Sequence, residues 1–502
     1  MSDVPISPQG NAREAEIAEA VAHPEATGGP LGKKGLAWAI FEWARNPYYN
    51  VIVIALFTPY FAKYVVGGGQ WGFTLASVTI MIAGIAAALT APFLGVIADN
   101  TGRRKPVLVV TIVALCLLSA ALWFALPGGG GLGIVGTMAV LATAYVCYTY
   151  SEVLHNAMLP DAGAPRSLPS ISGNGLAFGA IASAIILIAH HFSFAAPAEP
   201  LFGIDKSMHE QTRIVGPIIA VWLAVFIVPF FLFMPDRPSK GKSWSHATAD
   251  LFIGPGHEEG RPFQPFKRIG VLGGYLKRLF REDPNIMRFL VARTIYADAM
   301  TALLTLGSSY GATFIGYSAE ELTIFGLITL LSAAIGGPLG GLLDRTLGPK
   351  RALFIELSVL LVLLTVSISI VPDSLLFGLV PGQENIWASP YFNSLSDIAY
   401  LLTFIPTATV IVATISTSRF MLVHLSPPDR IGEFFGLYAI AGTVTVWIGP
   451  ALVGALTFIS KSERTGMMSI GLLFLIGLMI LRGVKGGKVP AGAPKAAEAS
   501  KS

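Results

Sequence analysis

Glu42, Arg45, Glu152, Arg293, Asp298 and Arg419 sit in stretches otherwise apolar enough to cross a membrane. An ionisable side chain at the centre of a span costs about 2.5–3.5 kcal/mol on insertion scales, so each asks for a reason. Glu42 and Arg45 are three apart and share one helix face. They read either as a structural ion pair or as the charged wall of a central cavity. An arginine presents a planar fork to a carboxylate or phosphate, so Arg45 and Arg293 are candidate ligands for an anionic or zwitterionic solute. Trp43, Tyr48, Asn50 and Tyr296 lie close enough in sequence to share such a cavity. Asp298 falls near mid-span, where it either pairs with Arg293 or carries a coupling proton. Glu42 and Glu152 are the other candidates for that proton.

A second set of charges suits gating. Asp99, Arg103, Arg104 and Lys105 follow one apolar stretch, and Asp344, Arg345, Lys350 and Arg351 follow another. Such loops can pair with helix ends in one state and release them in the other. Glu152 opposite Arg419 is a candidate gate pair between the halves, and both residues are also near enough to the boundary to snorkel. His190 and His191 read as interfacial residues rather than metal ligands. The sequence holds no Gly-x-x-x-x-Gly-Lys-Ser/Thr phosphate loop, no His-Glu-x-x-His and no Gly-x-Ser-x-Gly. ATP-driven pumping and the common hydrolase chemistries are therefore not expected, and no cofactor or metal is called for.

The elements that carry these residues are long apolar helices. Hydrophobic residues make up 53% of the 502 and charged residues 13%, about half the soluble average, with mean hydropathy +0.65. That composition excludes a disordered or fibrous chain and argues against a soluble enzyme. Net charge +4 is too balanced to imply nucleic acid, and Cys116 and Cys147 lie in apolar stretches, so no disulfide framework is expected. Twelve segments are long enough to cross a layer about 30 Å thick. The expected organisation is a disordered tail 1–34, a six-helix bundle 35–234, a linker 235–285, a second bundle 286–482 and a tail 483–502. Within the linker, 263–281 interleaves apolar and basic residues, as a surface amphipathic helix does and as a solvated linker also can. Of the 34 Lys and Arg, 25 fall in segments that would be inside if both termini are cytoplasmic. Five (Lys63, Lys206, Arg213, Lys461 and Arg464) would be outside, which fixes the expected orientation.

The halves repeat. Gly95-x-x-x-Asp99-x-x-Gly102-Arg103-Arg104-Lys105 after span 2 matches Gly340-x-x-x-Asp344 followed by Gly348-Pro349-Lys350-Arg351 after span 8. Ala44-Arg45-x-x-Tyr48-x-Asn50 matches Ala292-Arg293-x-x-Tyr296-x-Asp298. The offsets are 245 and 248 residues, so one register serves both. Two related six-helix halves are a transporter architecture, with the site between them. Arg45 and Arg293 are then expected to face one another, neutralised by Glu42, Asp298 or substrate. Gly337-Pro338 and Gly449-Pro450 mark expected kinks.

Twelve spans, a long central loop and the Gly-x-x-x-Asp-x-x-Gly-Arg-Arg-Lys motif resemble the major facilitator superfamily. Glu42-Trp43-Ala44…Tyr48, Tyr296-Ala297-Asp298-Ala299, Leu159-Pro160-Asp161 and Ser172-Gly173-Asn174-Gly175 resemble its vacuole-effluxer branch. That branch is related to amino-acid exporters of fungal vacuoles. The chain departs from the pattern at Arg45, where a small polar residue is usual, and at Ala297 and Ala299, where Asn and Gly are usual. The resemblance implies an all-α polytopic protein with twelve transmembrane helices in two pseudo-symmetric bundles. It also implies alternating-access transport of a small, carboxylate-bearing solute, with protons as candidate partners and a monomer in the cell membrane. A flippase for an amphiphilic or lipid-linked substrate is the alternative within transport. A membrane-embedded enzyme and a non-transporting receptor are the alternatives outside it.

Overall fold

A computed structural model describes residues 32–101, 103–163, 168–236, 277–382, 386–426, 434, 437, 438, 442 and 445–486, with residues 91–101, 157, 160, 168–170, 172, 173, 345 and 423 described by backbone alone. Both tails for most of their length, linker residues 237–276 and the Pro427–Arg430 loop lie outside the described residues. So does most of the expected amphipathic helix, of which 277–281 belong to a helical turn at 277–282.

Apolar runs become helices here because a backbone without water must satisfy its own hydrogen bonds. The first span is α1 (Lys33–Pro47), continued by a π-helical stretch Tyr48–Ala55, a turn Phe57–Tyr60 and a second π turn Phe61–Val65. Next come α2 (Gly69–Thr101), α3 (Lys105–Ala121), α4 (Gly133–Met158) and α5 (Leu168–His190). The sixth span is α6 (Val215–Phe226), flanked by helical turns Glu210–Arg213 and Val228–Phe233. In the second half, α7 is Pro284–Tyr310, α8 Ala319–Leu347, α9 Pro349–Ser369 and α10 Leu395–Leu425. The series ends with α11 (Ile448–Ser460) and α12 (Glu463–Arg482). Ten helices among the described residues are long and apolar enough to cross a membrane. The segmented first span and the short α11 occupy the two remaining expected positions. The chain is an all-α polytopic protein.

The repeat is built into the fold. Inner and outer here denote the ends that the charge bias assigns. The first span of each half ends in a π turn, at Phe61–Val65 and at Gly311–Ile315. α3 and α9 each begin with a proline in the first turn, where its missing N–H costs nothing. The outer α3–α4 connection closes through an Ala125–Gly131 bridge, and the α9–α10 connection through a hairpin of β1 (Ser374–Leu375) and β2 (Val380–Pro381). Between the halves, α2 packs on α11 and α5 on α8, which are two-fold mates of each other. At the outer end Lys63 donates to the carbonyls of Gly316 and Tyr317 at 2.8 and 2.6 Å, joining the first span to the end of the seventh.

Small residues set the helix spacing. Gly336 and Gly340 on α8 meet the backbone of Thr409 and Ala413 on α10, so closely that an added Cβ at Gly336 would lie 2.3 Å from the Thr409 oxygen. Gly175 and Gly179 do the same for α5 against α1: a Cβ there would strike Trp38 and Asn46. This is the close-approach stripe that lets helices associate where lipid supplies no hydrophobic drive.

Candidate functional site

The α1–α5 approach places the inner half of the first span at the centre of its bundle. Arg45 is 2% exposed and its Nη2 donates to both oxygens of Glu42, each at 2.8 Å. The guanidinium carbon lies 4.4 Å from the centre of the Tyr148 ring, a cation–π contact. Nη1 sits 3.7 Å from Glu152, whose side chain is 45% exposed. Glu152 lies on the same side of α4 as the buried Tyr145 and Tyr148, toward α1, so the space it opens to is interior rather than lipid. Among the described residues, Nε and Nη1 of Arg45 have no hydrogen-bond acceptor.

His155, one turn from Glu152, joins the same network. Its Nδ1 is 3.2 Å from Glu42, and its ring is stacked between Trp38 and Phe41. Four aromatic rings, Tyr48, Tyr49, Tyr145 and Tyr148, pack beside Arg45. The i, i+3 spacing identified the Glu42–Arg45 pair in advance. The i, i+3 spacing also puts His155 on the face of Glu152, but its aromatic clamp comes from α1 and carries no sequence signal.

The second half uses the same positions differently. Arg293 lies 3.5 Å over the Tyr438 ring and donates to the Tyr438 carbonyl at 2.8 Å. The Arg293–Asp298 pair, one of the two readings of Asp298, does not form. Asp298, 3% exposed, accepts the backbone N–H of Gly449 at 2.7 Å and so caps the start of α11. The repeat survives at helix level: Asn50 bonds Ser183 on α5 at 3.0 Å, and its mate Asp298 bonds α11, the two-fold mate of α5. Tyr48 and Tyr296 are both fully buried, the first beside Tyr148 and the second bonded to Ser418 at 2.8 Å.

Several expected juxtapositions are absent among the described residues. Arg45 and Arg293 are not in contact, and each is held by a tyrosine and by groups of its own half. Trp43 turns away from α4, stacking on Trp222 at 5.5 Å, because the Trp222 indole is anchored to the Trp43 carbonyl at 3.0 Å. Glu152 is drawn to Arg45, while Arg419 is exposed on α10, so the expected gate pair is not made.

The basic loops clamp within each half. Asp236, just beyond the sixth span, accepts the backbone N–H groups of Arg104 and Lys105 at 3.0 and 3.3 Å. Lys105 then reaches the Phe231 carbonyl at 2.8 Å, and its mate Lys350 reaches the Arg482 carbonyl at 3.2 Å. In both halves a lysine thus satisfies the C-terminal end of the last span. Arg103 is exposed, Arg351 is exposed and Arg104 is buried. The side chains of Asp99 and Arg345 lie outside the described residues, and both oxygens of Asp344 are buried without a donor among the described residues. No cluster of metal-ligating side chains occurs among the described residues.

A family model described as vacuole effluxer Atg22 like matches residues 164–489. The chain belongs to this vacuole-effluxer family. It is 24% identical over 459 residues to the uncharacterized MFS-type transporter YxiO of Bacillus subtilis, covering 89% of this chain and 94% of that one. It is 23% identical over 312 residues to autophagy-related protein 22 of Cryptococcus neoformans, covering 62% of this chain and 48% of that protein. The chain therefore spans about half the length of that fungal relative. Among solved structures it resembles the inward-open xylose transporter XylE from E. coli (TM-score 0.60, 10% identity, 91% of this chain and 97% of that one). It also resembles the nucleoside transporter NupG (TM-score 0.55, 12% identity, 90% and 98%). The vacuole effluxers' fold here is that of the major facilitators, and the protein is a multi-pass membrane transporter rather than an enzyme.

Proposed function

We propose that this transporter moves a small zwitterionic solute of the amino-acid class by alternating access, in the direction of export. What supports the substrate class is the edge of Arg45. Its Nη2 is occupied by Glu42, while Nε and Nη1 are buried donors with no acceptor among the described residues. Buried donors left unpaired are costly, so a ligand carboxylate that accepts from them gains binding energy. Glu152, half-exposed 3.7 Å away, offers the complementary anion for an ammonium group. A solute bearing both charges a few ångströms apart matches both. The export direction follows the vacuole-effluxer relatives. With the cell membrane as the location, the cytoplasmic side for both termini follows the charge bias.

The test is a thermal-shift screen of the purified protein with amino acids, their decarboxylated amines and their amides. A ligand at a hundred times its Kd stabilises by about 2.7 kcal/mol. Amino acids should stabilise the wild type, amines and amides should not, and Arg45→Ala should abolish the shift. Stabilisation that persists in Arg45→Ala would exclude Arg45 as the carboxylate ligand. Stabilisation by lipid-linked compounds instead would favour the flippase reading.

A further inference from the structure

The network around Glu42 carries a charge imbalance that a single proton removes. His155 is fully buried, its imidazole clamped between Trp38 (centroids 4.0 Å apart) and Phe41 (4.1 Å). Its Nε2 lies 3.0 Å from the Trp38 carbonyl oxygen. A carbonyl only accepts, so Nε2 carries a hydrogen. The Trp38 indole returns a bond to the His155 carbonyl at 3.1 Å, so the ring cannot easily turn. Nδ1 is then fixed 3.2 Å from Glu42 Oε1, an oxygen that already accepts from Arg45. In a neutral ring of this tautomer, the Nδ1 lone pair lies beside that oxygen, outside hydrogen-bond geometry in this packing. A hydrogen on Nδ1, and the positive charge it brings, turns the repulsion into an ion-pair attraction.

The same answer comes from counting charge. Arg45 is positive, and Glu42 and Glu152, both in contact with it, are each negative when ionised. The set is one charge negative until His155 is protonated. Among the described residues, the other elements against this ring bring no ionisable group: Gly175 of α5 lies against Trp38 and Glu42, and Phe230 lies 5.7 Å from the ring. On α4 itself the neighbouring ionisable groups are Tyr148, which faces Arg45, and Glu152.

We propose that His155 is the proton-carrying group of this transporter, with Glu42 as its counter-ion and the Arg45–Glu152 contact linking it to the interior space. The proposal rests on the transport reading above and names its coupling site. On release, the Nδ1–H bond breaks, the electron pair stays on nitrogen, and the proton passes to water on the Glu152 side. The cluster left behind has a net charge, which is costly in a dry site. Deprotonation therefore favours a conformation in which Glu42 and Glu152 meet water, and protonation favours the packing described here.

The deciding measurement is nitrogen NMR of full-length protein labelled at histidine, in lipid nanodiscs at neutral pH, with His155→Gln assigning the signal. Both ring nitrogens of His155 should carry hydrogen, and in Glu42→Gln the same ring should be neutral. A neutral ring in the wild type would overturn the assignment. In proteoliposomes loaded with a pH dye and given a mixture of the twenty amino acids, the protons moved per amino acid transported should fall to background in His155→Gln. Proton movement equal to the wild type would also overturn it. If the wild type itself moves no amino acid, the substrate reading fails, and the ring's protonation alone decides the role of His155.

Discussion

Asp298 ties two spans of the second half together through one hydrogen bond to the backbone of Gly449. Its carboxylate serves as a helix cap, and its second oxygen has no donor among the described residues. An amide keeps one accepting oxygen, so Asp298→Asn should retain the cap and leave the Tm near that of the wild type. Asp298→Ala should lose about 1–2 kcal/mol, since an N-cap is removed and the freed N–H has no water to turn to. Thermal unfolding of both variants in detergent checks this; equal losses in the two would mean that the charge, not the cap, matters. Asp298 was legible in the sequence as a costly charge in need of a partner. The partner was not legible, because Gly449-Pro450 signals only a kink and nothing in it says that a backbone N–H there is open. Glu42 and Arg45 were legible as a pair, since helix geometry alone puts them on one face.

Among the elements, α8 shows how narrowly spacing is set. Its glycines alternate in consequence: Gly336 and Gly340 touch α10, while Gly337 and Gly341 have nothing within 4 Å of an added Cβ. Gly336→Ala should cost about 1–3 kcal/mol, because the atoms it meets are backbone and cannot step aside. Gly337→Ala should be neutral or gain up to about 1 kcal/mol from helix propensity. Parallel thermal melts of the two variants check it, and equal behaviour would mean that α8 and α10 do not approach as described. The helices themselves were readable from apolar length and the loops from turn residues. The π stretches Tyr48–Ala55 and Phe61–Val65 were not, since apolar length does not distinguish a π from an α turn. Trp43 shows a related limit: it was expected inward because it lies close in sequence to Arg45, yet α6 claims its ring.

For the whole molecule, the two halves meet through two-fold-related helix pairs, and the outer end is held by Lys63 on Gly316 and Tyr317. A cation at the C-terminal end of a span is favoured by the helix dipole as well as by its hydrogen bonds. Lys63→Met should therefore populate an outward-open form. Spin labels at Phe124→Cys and Leu379→Cys, exposed outer positions in opposite halves, in a Cys116→Ser/Cys147→Ser background, should show a longer distance component in the variant. An unchanged distance distribution would mean that Lys63 does not hold the outer end. The two-bundle plan was legible because the repeat recurs in one register, and the same register predicts the matched lysine clamps of Lys105 and Lys350. The closure was not legible, since Lys63 entered the sequence reading only as one of five charges on the outer side.

The outer closure has one side made of side chain and one made of main chain. Carbonyl oxygens are present whatever residue occupies a position, so substitution at 317 leaves the acceptor in place. Gly316 is restricted for a separate reason, its φ of 102°. The strength of the Lys63 contact is therefore adjustable from one side only. Within this contact, Lys63 is the partner whose side chain can be exchanged without unravelling the end of the seventh span, while rings such as Trp71 on Phe458 also join the halves at the outer end.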